Sequence, residues 1–174
     1  MKISALSLWL QRVCWLFVCF VPLGFAFSWY MAITKQSLYE VKLPFKVVYD
    51  NIELWQWLAG IALTALPMLA LVIALKYLSQ LMLEFTQGRY FSLSAIDNLY
   101  CFSTWLLAST VLKIVIVPFL SVALTINNPV GERSLMVSIE GDNLYVALIA
   151  VVFFVITRIL QEGRRIDMEN AEFI

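Results

Sequence analysis

The sequence predicts an all-α integral membrane protein with four transmembrane helices, and three observations carry that prediction. Of its 174 residues, 62% are hydrophobic and only 14% charged, where a soluble domain usually carries about a quarter charged residues. Mean hydropathy is +0.86, more than the single core of a soluble domain this size can absorb. The apolar residues also fall into four long stretches bounded by charges.

The first span, 13–34, holds 22 uncharged residues between Arg12 and Lys35, enough at about 1.5 Å per residue to cross about 30 Å of hydrocarbon. A cleaved signal peptide is the competing reading, but the stretch exceeds a usual signal core and no small-x-small cleavage pattern comes after it. The second span, 54–78, opens with Trp55 and Trp57 and runs 22 residues from Glu53 to its first charge, Lys76. Indole rings commonly sit at headgroup level, which suits that entry. The third span, 99–126, is interrupted once, at Lys113. The fourth, 144–160, has 15 uncharged residues between Asp142 and Arg158, so it crosses only if Arg158 extends its stem toward an interface.

Basic residues in short loops set orientation. With the N-terminus inside, seven basic residues (Lys2, Arg12, Lys76, Arg89, Arg158, Arg164, Arg165) fall on the cytoplasmic side and four (Lys35, Lys42, Lys46, Arg133) outside. Both termini, the 79–98 segment and the 161–174 tail are therefore expected in the cytoplasm, with the chain in a bacterial inner membrane. Cys14, Cys19 and Cys101 fall in or near spans, where they read as packing residues. No histidine and no paired-cysteine spacing occurs, so neither a metal site nor a cofactor is expected.

Between spans one and two, LPFKVVYDN is a β-favouring run, and between spans three and four SLMVSIEGDN alternates apolar and polar residues. These segments suit either a small paired cap or irregular connectors. The 79–98 segment contains FTQGRYFSLSAIDNLY and the chain ends LQEGRRIDMENAEFI. Aligned on Gly88 and Gly163, 75 residues apart, they share Gly-Arg (Arg89, Arg164), an apolar residue (Phe91, Ile166) and a helix-capping type (Ser92, Asp167). The offset is compatible with two repeated helical hairpins or with coincidence. In either case it predicts a helix stop at each glycine and a restart at Ser92 and at Asp167, two elbows at the membrane surface. Ser94 with Asp97 is a competing cap for the first.

These segments carry a family resemblance. FTQGRYFSLSAIDNL resembles the F-x-x-G-x-x-F-S…I…L segment, and ITRILQEGRRIDMENAEFI the terminal E-N-x-x-(I/V) segment, of the bacterial family catalogued as domain of unknown function 2975. The resemblance implies a four-span inner-membrane protein, in some cases encoded beside a small helix-turn-helix regulator, which suggests partnership rather than catalysis. It brings in Glu169 and Asn170 as terminal interaction candidates; Gly163 stands where that family often has alanine.

No nucleophile with a base, no ligand set and no phosphate cradle is visible, so an enzyme is not expected. Direct nucleic-acid binding is not expected either, whereas a homo-oligomer is compatible with the composition. A regulatory or sensory protein working through Gly88, Arg89, Phe91, Ser92, Arg164 and the tail is the leading reading. The alternative is a small transporter or channel subunit built around Lys113, a charge inside a span being a functional candidate by default. Ser109 and Thr110, one turn before Lys113, extend a polar strip expected to face the bundle interior. A structural Lys113 would instead extend to the outer headgroups or pair with Glu53, Glu140 or Asp142. Pro22, Pro67 and Pro118 place one proline in each of the first three spans, and Gly60 with Thr64 form a small-x-x-x-small pair that allows close helix approach.

Overall fold

Four α-helices succeed one another in chain order: α1 (Ile3–Lys35), α2 (Leu54–Thr86), α3 (Leu93–Thr125) and α4 (Gly141–Ala171). The computed structural model describes residues 3–35, 52–129, 133, 135–138 and 141–171. All four helices are long and apolar enough to cross a membrane, so the chain is an all-α, multi-pass membrane protein whose environment is a lipid bilayer. No strand occurs among the described residues; residues 135–138 are irregular, and LPFKVVYDN falls outside the described residues.

Each boundary has a local cause. α2 starts where the Gln56 side-chain oxygen accepts the Glu53 N–H at 2.8 Å, satisfying a donor that the helix leaves open. α3 starts at Ser92, whose Oγ accepts the Ala95 N–H at 3.1 Å, so Ser92 and not Ser94 is the cap. The helices run through Pro22, Pro67 and Pro118 without a break in assignment.

The helices form an array in chain order. α2 and α3 share the most extensive packing, α1 lies against α2 and α4 against α3, and among the described residues α1 and α4 do not approach each other. Two cores sit at opposite ends of the α2–α3 hairpin. At the end remote from the 87–92 turn, Trp29 and Ala32 of α1 meet Ile116, Leu120 and Leu124 of α3, with Trp57 and Ile61 of α2 alongside. At the turn end, Ala74 and Leu81 of α2 meet Ala95, Leu99, Phe102 and Leu106 of α3 and Ala150 of α4. α4 enters this core on a helical stripe in which Ala150 and Thr157 are fully buried, Phe153 packs edge-on to Phe102 with ring centroids 5.5 Å apart, and Leu160 completes the contact.

Helix length decides where the turn stands relative to lipid. α2 and α3 have 33 residues each, about 50 Å, against about 30 Å of hydrocarbon. Trp29 lies against Gly60, and counting down the antiparallel α1 and α2 from there brings Arg12 level with Lys76 and Tyr77. Tyr100 stacks with Phe154 on α4, one turn from Arg158, so the first charges of α1, α2 and α4 lie within about one or two helical turns of a common depth. Thr86 is ten residues beyond Lys76 and Arg164, which reaches the turn, is six beyond Arg158, so the turn stands about 15 Å beyond Lys76 and about 9 Å beyond Arg158.

At the other end α4 is short. Phe153 lies on Phe102 and Arg164 bonds to Phe91, and the same register carried back places Gly141 level with Ile114, well below the end of α3. The chain descends to that point along α3: Arg133 Nε donates to the Asn128 carbonyl at 3.2 Å and the Met136 N–H donates to Ser121 Oγ at 3.1 Å. This register accounts for the 15-residue uncharged stretch of span four, since α4 need not cover the full depth of α3.

Candidate functional site: the elbow between α2 and α3

The 87–92 turn is built from its backbone upward. Gly88 has φ +76°, a left-handed conformation that glycine adopts without the cost a side chain would add. It closes α2: the Gln87 and Arg89 N–H groups both donate to the Glu84 carbonyl, each at 3.1 Å, and the Gly88 N–H donates to the Phe85 carbonyl at 3.2 Å. Glu84 then ties the turn together. Its carboxylate pairs with Arg89 at 3.1 Å and accepts from Ser92 Oγ at 3.3 Å, linking the last turn of α2 to the cap of α3. Arg89 also reaches the Gln87 side-chain oxygen. α4 joins through Arg164, whose Nη1 donates to the Phe91 carbonyl at 2.6 Å.

This polar frame leaves an apolar surface outside it. Phe91, its carbonyl held by Arg164, keeps its ring 72% exposed, more than any other described aromatic. Leu93, two residues on, and Leu83, in the last turn of α2, are also exposed, and Tyr90 leans on Phe85 with ring centroids 5.6 Å apart.

The second expected elbow is absent. Gly163 lies inside α4, which continues from Gly141 to Ala171, and Gly88 is the only glycine with positive φ among the described residues. The physical reason lies in the path of the chain after each glycine. After Gly88 the polypeptide must reverse to lay α3 against α2, whereas at Gly163 the helix continues to Ala171, and Glu162 and Arg165 form an i,i+3 pair at 2.6 Å across the glycine. Asp167 is therefore a helix residue, not the cap of a new helix. Arg89 and Arg164, equivalent in the 75-residue alignment, have different partners, so the two segments share residues without sharing a conformation. Glu169 and Asn170 lie in the last turn of α4, their side chains outside the described residues.

The two glycines should consequently respond in opposite directions. Gly88→Ala is expected to lower stability by about 1 kcal/mol through left-handed strain, while Gly163→Ala, with nothing within 4 Å of the added methyl, should raise it by up to about 1 kcal/mol through helix propensity. Thermal melting of both proteins in one detergent checks this; equal shifts of the same sign would contradict the assignment.

Lys113 is exposed and is not without an interaction of its own. It does not continue the buried strip below it: Ser109 and Thr110 are buried and both donate to the Leu106 carbonyl, at 2.8 and 3.1 Å. The strip expected to face the interior therefore ends at Thr110, and its hydroxyls are satisfied by their own helix.

The largest fully buried polar side chain among the described residues lies at the far end, where the sequence assigns it no role. Gln56 is 0% exposed; besides capping α2, its Nε2 donates to the Ala123 carbonyl at 2.9 Å and its Oε1 accepts from Asn127 at 3.0 Å. The Gly60–Thr64 pair does mark a close approach, made by an aromatic ring. Trp29 packs on Gly60, and its Nε1 donates to Thr64 Oγ1 at 3.2 Å. These contacts fix helix positions, whereas the elbow presents chemistry outward. Among the described residues no group of three or more histidine, cysteine, aspartate or glutamate side chains is placed to hold a metal.

Compared with protein-family models, curated proteins and solved structures, the chain matches none.

Proposed function

We propose that the protein is a non-enzymatic regulatory or sensory component of a bacterial inner membrane, with both termini and the elbow in the cytoplasm, where the elbow binds a soluble protein partner. The observation that carries this reading is Phe91, an exposed aromatic held on a braced turn about 9 Å beyond Arg158 of α4 and about 15 Å beyond Lys76 of α2. An apolar side chain in lipid needs no explanation, but one fixed outside the hydrocarbon is surface of the kind partners bury. The Glu84, Arg89, Ser92 and Arg164 contacts reduce the ordering cost that binding incurs on a mobile loop. The basic residue count supports the orientation, and the resemblance to the family of domain of unknown function 2975 supports a small helix-turn-helix regulator as the partner.

Phe91→Ser tests the reading. The ring is largely exposed and folding does not depend on it, so accumulation and melting temperature should stay close to wild type, while partner co-purification from native membranes should fall by about tenfold or more, as for loss of an interfacial aromatic anchor. Unchanged co-purification at normal accumulation would remove the elbow from the interface.

A further inference from the structure

We propose that Arg158, stacked on Tyr100 and Phe154, forms a binding site for the phosphate of an anionic phospholipid in the leaflet on the elbow side. The guanidinium carbon lies 5.5 Å from the centroid of Tyr100 on α3 and 5.3 Å from that of Phe154 on its own helix, and the two rings are 5.6 Å apart at 41°. Aromatic faces stabilise a guanidinium through its π-face, which leaves the N–H donors around its edge for acceptors in its plane.

Among the described residues those donors have no protein acceptor. Glu84 pairs with Arg89 and Glu162 with Arg165, whereas Asp97, exposed on α3 at the level of Arg158, forms no ion pair with it. Glu162, one turn beyond Arg158 on α4, is the acid best placed by helical spacing, and Arg165 holds it at 2.6 Å. Among the described residues no hydrogen bond uses Arg158 or the Tyr100 hydroxyl. Arg158 is exposed and Tyr100 partly so. The site thus combines a fixed cation and a second unfilled donor at the junction of two helices, with open access.

Depth identifies the occupant. Arg12 on α1 and Lys76 on α2, both exposed, lie within about one or two helical turns of this level, where the apolar stretches of α1, α2 and α4 all end. Lipid phosphates occupy such a layer, and a planar guanidinium fork donates to two phosphate oxygens at once. Charge selects among lipids: a headgroup with net negative charge retains its attraction to Arg158, whereas a zwitterionic one largely cancels it. Among the described residues Arg12 and Lys76 have no comparable aromatic stack, so the site is a point on this layer and not the whole layer.

The test is native mass spectrometry of the full chain with phosphatidylglycerol or phosphatidylcholine added to the detergent. Wild type should retain phosphatidylglycerol in preference to phosphatidylcholine, and Arg158→Gln should bind it about tenfold more weakly, as expected for loss of charge-assisted hydrogen bonds. Arg12→Gln and Lys76→Gln should each change retention by less than threefold, about 0.65 kcal/mol at 25 °C. Tyr100→Phe keeps the stack and removes the hydroxyl, and Arg158→Lys keeps the charge and removes the fork; both should weaken retention, so the answer does not depend on one variant folding. Equal retention by Arg158→Gln and wild type overturns the proposal. Equal losses at Arg12, Lys76 and Arg158 overturn it in favour of a diffuse charged layer, and displacement of the lipid by inorganic phosphate at matched concentration overturns the lipid as occupant.

Discussion

Gln56→Ala is expected to destabilise the protein by about 2–3 kcal/mol. Three hydrogen bonds converge on this side chain: the amide nitrogen donates to the Ala123 carbonyl, and the oxygen accepts from the Glu53 N–H and the Asn127 amide. Truncation leaves those partners without their acceptor or donor at a position that is 0% exposed, and a buried polar group left unsatisfied costs about 1–3 kcal/mol. A cavity adds to the loss. Gln56→Leu separates the two contributions, because it keeps volume and removes the bonds; its loss should be about 1–2 kcal/mol. Thermal or denaturant unfolding in mild detergent measures both. A Gln56→Ala protein as stable as wild type would show that the α2 cap and the α3 terminus hold without this side chain.

The four-helix class was legible because hydrophobicity and charge placement are summed over many residues, and no single contact has to be known. The Ser92 cap was legible for a similar reason: a small hydroxyl after Gly88 and before an apolar run has a short-range physical role. Gly163 shows the limit of that reasoning. Glycine permits a left-handed turn but does not impose one, and only the packing of α3 back onto α2 makes the turn at Gly88 necessary. Gln56 and Trp29 were opaque for a different reason. Their partners lie 67 and 35 residues away, and residue type alone gives a glutamine or tryptophan near a membrane surface an interfacial role. Glu84 escapes a sequence reading because its function depends on Arg89 and Ser92 meeting across the turn. Arg158 reads in the sequence as a stem extending freely toward an interface, although Tyr100 and Phe154 hold its head in place. Helix spacing reveals Phe154, one turn away, but not the ring from α3.

Trp29→Ala is expected to have the largest effect, about 3–5 kcal/mol, within the range for removing a buried aromatic. Trp29 is 4% exposed, packs edge-on to Trp57 at 6.1 Å and Phe25 at 6.5 Å, and holds α1 to α2 by its bond to Thr64. It is also the largest buried side chain that α1 contributes to the core with Ile116, Leu120 and Leu124. Gly60→Ala reaches the same contact from the other side. Its methyl would lie 2.7 Å from Trp29 Cη2 and 3.6 Å from Leu124 Cδ2, so the indole must shift, and overpacking of this kind costs about 1–3 kcal/mol. Alanine favours helix over glycine by about 1 kcal/mol, which offsets part of that cost without removing the clash. The double variant separates the causes. With the indole absent the methyl has room, so Gly60→Ala should become neutral or stabilising in the Trp29→Ala background, giving a coupling of about 1–2 kcal/mol between the two positions. Melting of the wild type, both single variants and the double variant measures the coupling. Additive losses would mean that Gly60 is required for a reason other than the ring lying on it, and α1 would then need another anchor on the α2–α3 hairpin.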